Sequence, residues 1–264
     1  MAESRLHQLS ARGQSVWIDY LSRDLLESGE LKRMMKEDAV VGVTSNPTIF
    51  QKAISHGNAY DEQLKELLEH EEDAKEIFLH LAVRDVENAL DLLARVHEDN
   101  AEDGYVSIEV DPNLAYDTTA TYEEAIRLHE WIDRPNLYVK IPGTKPGLQA
   151  IEDCIAAGRS INVTLLFSLE MHSASMEAYL RGLERFVEGG GDATKVRSVA
   201  SFFVSRVDTE ADKRLEAIGT DEALAVHRYA VTASHLARTP SRSSANESEN
   251  FCTPSFSSVS TTSS

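Results

Sequence analysis

Six short apolar runs recur along the chain, and amphipathic stretches separate them. The runs are Val16–Tyr20, Val40–Pro47, Tyr105–Asp111, Asn136–Gly143, Ser160–Ser168 and Val199–Arg206. Each is strand-length, rich in β-branched and aromatic residues, and carries polar groups at or near its C-terminal end. Between them, apolar positions fall at helical spacings of three and four. Leu25 to Lys36 predicts a polar-rich amphipathic helix. Asn58 to His97 predicts two or three Leu/Glu-rich helices, with one face at Asp61, Leu64, Leu67 and Leu68 and another at Val83, Val86, Leu90 and Leu93. Thr121 to Trp131 and Gly147 to Ala157 read the same way. Ser168 is the expected N-cap of a helix running to Glu188, with Glu170 close behind, and Gly189-Gly190-Gly191-Asp192 stops it.

Strands alternating with helices imply a parallel sheet with right-handed crossovers. An open doubly wound sheet and a (β/α)8 barrel both fit this order. A dinucleotide-binding open sheet carries a G-x-G-x-x-G turn after its first strand. Here that turn is Tyr20-Leu21-Ser22-Arg23-Asp24, without glycine. A barrel draws its catalytic groups from the C-terminal ends of several strands. Asp19, Asn46, Glu109, Lys140, Asn162, Ser201 and Arg206 fall there. The expected fold is therefore α/β, a TIM-type barrel with about six of its eight strands present.

Composition narrows the partners. The chain has 264 residues, 42% hydrophobic, enough for one large core or two small ones, and a formal net charge of -18. That charge argues against nucleic acid or an anionic membrane surface as the main partner. No stretch approaches the ~18 apolar residues of a membrane helix, and the N-terminus lacks a signal-peptide core, so a cytoplasmic location is expected. Cys154 and Cys252 cannot build a disulfide framework, and Cys154 reads as a core thiol. The nine histidines form neither an H-x-x-x-H pair nor a Cys/His cluster, so no zinc site is expected.

Lys140 is the focal residue. Burial among Leu137, Tyr138, Val139 and Ile141 favours a neutral amine, the form that attacks a carbonyl and makes a Schiff base. A lysine at a strand end can also snorkel to solvent. Each companion has a similar bland alternative. Asp19 could N-cap the Ser22–Glu27 segment, Asn46 before Pro47 could serve the turn, and Glu109 could hold Lys140 in a buried ion pair. Asn162 and Thr164 could bond only within the protein, and Arg206 could cap a surface helix. Asp111 and Asp117 read as turn residues.

Several ordered motifs together resemble the transaldolase family, from about Val16 to about Val226. They are Thr44-Ser45-Asn46-Pro47-Thr48-Ile49-Phe50, the run around Lys140, and Ile161-Asn162-Val163-Thr164-Leu165-Leu166-Phe167-Ser168. The Asn58–Asn100 insertion and the stop near Gly190 resemble the longer actinobacterial-type members. The resemblance implies a metal-free transferase that moves a dihydroxyacetone unit between sugar phosphates through a lysine Schiff base, in the non-oxidative pentose phosphate pathway. Under it, Lys140 forms the iminium and Asp19 handles the C4 hydroxyl proton. Glu109 acts through a water that Thr164 helps hold. Asn46, Asn162 and Ser201 bond the dihydroxyacetone hydroxyls, Thr44 orders its turn, Phe203 closes the pocket, and Arg206 binds the distal phosphate.

Beyond about His227 the resemblance stops. Residues 229–264 contain 16 Ser or Thr and no periodicity long enough to bury, which predicts a disordered tail behind a barrel domain of residues 1–228. Family members continue through two further strands, so a truncated or frameshifted product is expected, with self-association, or a homodimer, through its open strands. Two other readings compete: a fructose 6-phosphate aldolase-like lyase, and an inactive incomplete barrel.

Overall fold

The computed structural model describes residues 4–45, 47–55 and 57–223. Asn46 and the Ser/Thr-rich segment 229–264, including Cys252, lie outside the described residues. Six strands form one parallel sheet in sequential order: β1 (Val16–Ile18), β2 (Val40–Thr44), β3 (Tyr105–Glu109), β4 (Leu137–Pro142), β5 (Ile161–Leu166) and β6 (Ser198–Phe202). The helices are α1 (Arg5–Ser10), α2 (Arg23–Glu27), α3 (Glu30–Glu37), α4 (Pro47–Ser55), α5 (Asp61–Leu68), α6 (Ala74–Asp99), α7 (Thr118–Ile132), α8 (Lys145–Ala156), α9 (Leu169–Glu188) and α10 (Val204–Ile218).

The sheet is curled into part of a barrel. Strands lie about 4.8 Å apart, so a flat sheet would separate β1 from β4 by about 14 Å. Yet Trp17 of β1 and Tyr138 of β4 stack with ring centroids 6.2 Å apart. Trp17, Tyr105, Tyr138 and Val199 share one buried cluster that reaches from β1 to β6 and floors the concave side. Gly42 makes room for it: a Cβ there would sit 2.3 Å from the Trp17 ring. Burial pushes the Tyr105 phenol up to about 12 and the Tyr138 phenol well above its ordinary range, so the floor stays uncharged.

Side-chain alternation divides the strands into two faces. Val106, Ile108, Val139, Ile141, Ile161 and Val163 enter the main core beneath the helices, with Leu90 and Leu93 of α6 and Ile151 and Ile155 of α8. Cys154 belongs to this core, and burial pushes its thiol up to about 12. On the insertion side a buried network ties the chain together. Arg23 Nε donates to Asp85 at 2.9 Å, Tyr60 Oη donates to the other Asp85 oxygen at 2.7 Å, and the Arg23 N–H donates to Tyr60 Oη at 3.0 Å. Burial pushes the Asp85 carboxyl up, against the pull of Tyr60 and of the guanidinium. The network anchors the chain four residues beyond Asp19.

Several element bounds differ from expectation. Leu25–Lys36 is two helices, not one, because Gly29 takes φ 77° between α2 and α3. The segment after Asn46 is helix α4, with Pro47 at its first position, where the missing N–H costs nothing. The sixth strand ends at Phe202, so Phe203 and Arg206 belong to the start of α10. The Asn58–His97 region is α5 followed by the 26-residue α6. Ser168 caps α9, accepting from the Met171 N–H, as expected.

Candidate active site

Register sets the site. Glu109 of β3 lies beside Lys140 of β4, and Lys140 lies beside Asn162 of β5. Parallel pairing thus puts a carboxylate, an amine and an amide side by side. Glu109 ends β3 and Lys140 is near the end of β4, but Asn162 sits at the start of β5 and not at its C-terminal end as expected. Lys140 is 5% exposed and does not snorkel. Its Nζ donates to the Ser45 carbonyl at 3.0 Å and lies 3.4 Å from Glu109 Oε2. The ion pair raised as the bland alternative for Glu109 is therefore present.

A second network runs beneath. Asn162 is fully buried, and its Nδ2 donates to Ser107 Oγ at 3.2 Å. Ser201 Oγ donates to Asn162 Oδ1 at 2.9 Å. Ser45 ties in through Ser107, whose carbonyl accepts from Ser45 Oγ at 2.8 Å and from the Ser45 N–H at 3.3 Å.

The structure brings most of the sequence candidates together. Asp19, Thr44, Lys140, Thr164, Ser201 and Phe203 line one cavity, with Phe202. Its volume is about 30 Å³, room for a water or two. Asp19 is not the cap of α2; Ser22 takes that position, accepting from the Leu25 N–H at 3.2 Å. Alternation from Asn162 turns Thr164 inward, and an irregularity in β5 follows it. The register shifts between Val163 and Leu166, and Leu165 takes φ 59°. The extra residue flips the alternation, so Leu166 enters the helix-side core instead of following Thr164 toward the cavity. A non-glycine in that conformation costs about 1–2 kcal/mol. Burying a leucine contributes about 1.5–3 kcal/mol, which offsets the strain.

Arg206 is not in this cavity. It is exposed in the first turn of α10, and its guanidinium lies 4.5 Å from the Phe203 ring centroid. Phe203 also stacks on Phe167 at 5.4 Å. Phe167 and Arg206 line a neighbouring groove of about 450 Å³, together with Val207, Glu210, Ala211 and Arg214. Phe203 is thus the wall between cavity and groove. Asp111 and Asp117 do turn work: Asp111 accepts from the Asn113 N–H and pairs with Lys75, and Asp117 caps α7.

Sequence reasoning missed Ser45, Ser107 and Phe202. Alternation with Tyr105 and Glu109 could have found Ser107. Ser45 lies past the end of β2, where alternation no longer applies. Among the described residues no group of three or more His, Cys, Asp or Glu could hold a metal ion, and no helix is long and apolar enough to cross a membrane.

A partial (β/α) barrel with a buried lysine–carboxylate pair near its strand C-termini defines the class. Residues 16–259 match the Transaldolase/Fructose-6-phosphate aldolase family, running past His227, where the resemblance was expected to stop, and the chain belongs to that family. It is 55% identical over 222 residues to a transaldolase of Mycolicibacterium smegmatis, covering 84% of this chain and 60% of that protein. It is 52% identical over 226 residues to a transaldolase of Mycobacterium ulcerans (85% and 61% covered), and 50% identical over 226 residues to one of Mycobacterium leprae (85% and 60%). The chain thus spans about 60% of the length of these relatives.

Proposed function

We propose that this chain carries transaldolase chemistry. A dihydroxyacetone unit passes from a ketose phosphate, sedoheptulose 7-phosphate or fructose 6-phosphate, to an aldose phosphate, glyceraldehyde 3-phosphate or erythrose 4-phosphate. The observation that carries this reading is the buried Lys140 amine, 3.4 Å from Glu109, bordering a cavity that Asp19, Thr164 and Ser201 also line.

Glu109 takes the ammonium proton, and the freed lone pair attacks the donor carbonyl. The C–N bond forms as the carbonyl oxygen becomes a hydroxyl, which then leaves as water. A water held by Thr164 relays these protons. Asp19 removes the C4 hydroxyl proton, the C3–C4 bond breaks, and its electrons flow into the iminium. The aldose product departs, the acceptor aldehyde takes its place, and the steps run in reverse. Ser201, held by Asn162, bonds the donor hydroxyls, with Asn46 and Thr44 at the second strand.

The cavity holds the reacting end only after Phe203 moves, because about 30 Å³ is far below the ~300 Å³ of an ordinary ligand pocket. The phosphate lies beyond Phe203, at Arg206. Helix α10 has no side-chain N-cap and no acidic residue in its first turn, which suits an anion there. The catalytic unit comprises residues 1–228, needs no cofactor, and works in the cytoplasm within the non-oxidative pentose phosphate pathway. The relatives' shared name favours transfer over aldol cleavage.

Borohydride reduction in the presence of fructose 6-phosphate tests the reading. The added mass should fall on the Lys140 peptide and be absent in Lys140→Ala. Adduct formation that survives Lys140→Ala would overturn it. Product analysis with and without an aldose phosphate separates transfer from cleavage.

A further inference from the structure

We infer that Ser45 is a positioning residue for Lys140: its side-chain hydroxyl pins the backbone carbonyl that holds one amine hydrogen, and so aims the amine at the cavity. The inference rests on the proposed role of Lys140 as nucleophile. A neutral lysine amine has two N–H bonds and one lone pair besides its bond to Cε. The Ser45 carbonyl at 3.0 Å takes one N–H, and Glu109 at 3.4 Å faces the other. Lys140 borders the cavity, whereas neither Ser45 nor Glu109 lines it. Both acceptors therefore sit on the protein side of the nitrogen, and the position left over faces the cavity. On attack the lone pair becomes the N–C bond, the carbonyl π pair moves to oxygen, and one N–H proton passes to that oxygen through Glu109.

The Ser45 carbonyl is only as well aimed as the α-carbon that carries it is fixed. Two ties fix it, both to the Ser107 carbonyl: the hydroxyl at 2.8 Å and the backbone N–H at 3.3 Å. The backbone tie is longer than usual for a ladder bond, so the hydroxyl is the stronger restraint. Ser45 is 1% exposed, so water does not compete for that hydroxyl.

The experiment follows borohydride trapping at Lys140 over a range of fructose 6-phosphate concentrations. It compares the unmodified chain with Ser45→Ala and Ser45→Thr, with a thermal melt of each. Ser45→Ala should slow saturated trapping by about tenfold or more while the half-saturating concentration holds. Ser45→Thr, which keeps the hydroxyl, should restore the rate. If Ser45→Ala does not melt cooperatively, Ser45→Cys, of similar size with a weaker donor, takes its place. Trapping at the unmodified rate in a folded Ala or Cys variant overturns the inference. Failure of both to fold also overturns it, since the hydroxyl would then serve folding and not aim. No adduct at Lys140 in the unmodified chain would instead overturn the Schiff-base reading itself.

Discussion

Two side chains of opposite charge, Lys140 and Glu109, sit 3.4 Å apart and are respectively 6% and 9% exposed. A pair this dry is costly to form, and its partners exchange a proton over a short path. We predict that Glu109→Ala slows iminium formation, because the lysine proton and the departing water lose their acceptor and donor. Asp19→Ala should leave iminium formation intact and slow C–C cleavage. Each loss should be on the order of 10²-fold or more, as for other general acid–base residues. Single-turnover trapping and product release, measured side by side, separate the two steps; equal effects of both variants on both steps would refute the division of roles. Strand alternation makes the inward positions Lys140, Glu109, Asn162, Thr164 and Ser201 legible in the sequence. It does not place Arg206, because Phe202-Phe203-Val204 continues the strand's composition while the backbone has already turned into α10.

Helix α7 is clamped to the start of β5 by His129, whose Nε2 lies 3.0 Å from the Ser160 carbonyl. Burial lowers this imidazole to about 4, with the Arg159 charge adding to the effect. In the unfolded chain the same group takes a proton near 6.5. Its contribution to stability is therefore complete above pH 6.5, falls as pH drops from 6.5 toward 4, and is level below. The loss over that window is on the order of 3 kcal/mol. We predict that His129→Gln, which keeps a donor for Ser160 but does not titrate, flattens this part of the stability profile. Urea denaturation at pH 7 and pH 4.5 checks it; equal pH dependence in both proteins would contradict it. Element boundaries were harder to read than element types. The break at Ser28-Gly29 interrupts an unbroken amphipathic pattern, and α4 hid behind Asn46-Pro47, which suits a turn as well as a helix start.

The sheet as a whole has β1 and β6 at its margins, and among the described residues each pairs on one side only. Unpaired strand edges recruit other chains. The net charge of -18 opposes that contact, and salt screens the opposition. We therefore predict concentration-dependent self-association that strengthens as ionic strength rises, read by light scattering on a sizing column. A monomer at every salt and protein concentration would show that the margins are covered. The sequence by itself determined the parallel strand order, the helix-side core and the lysine within β4, because periodicity and alternation are local and survive in one dimension. Only the tertiary structure decided the curl that joins Trp17 to Val199, the Lys140 bond to the Ser45 carbonyl, and the Phe203 wall between cavity and groove. Those depend on distances between strands far apart in the chain, and on where each strand stops, which no local pattern encodes.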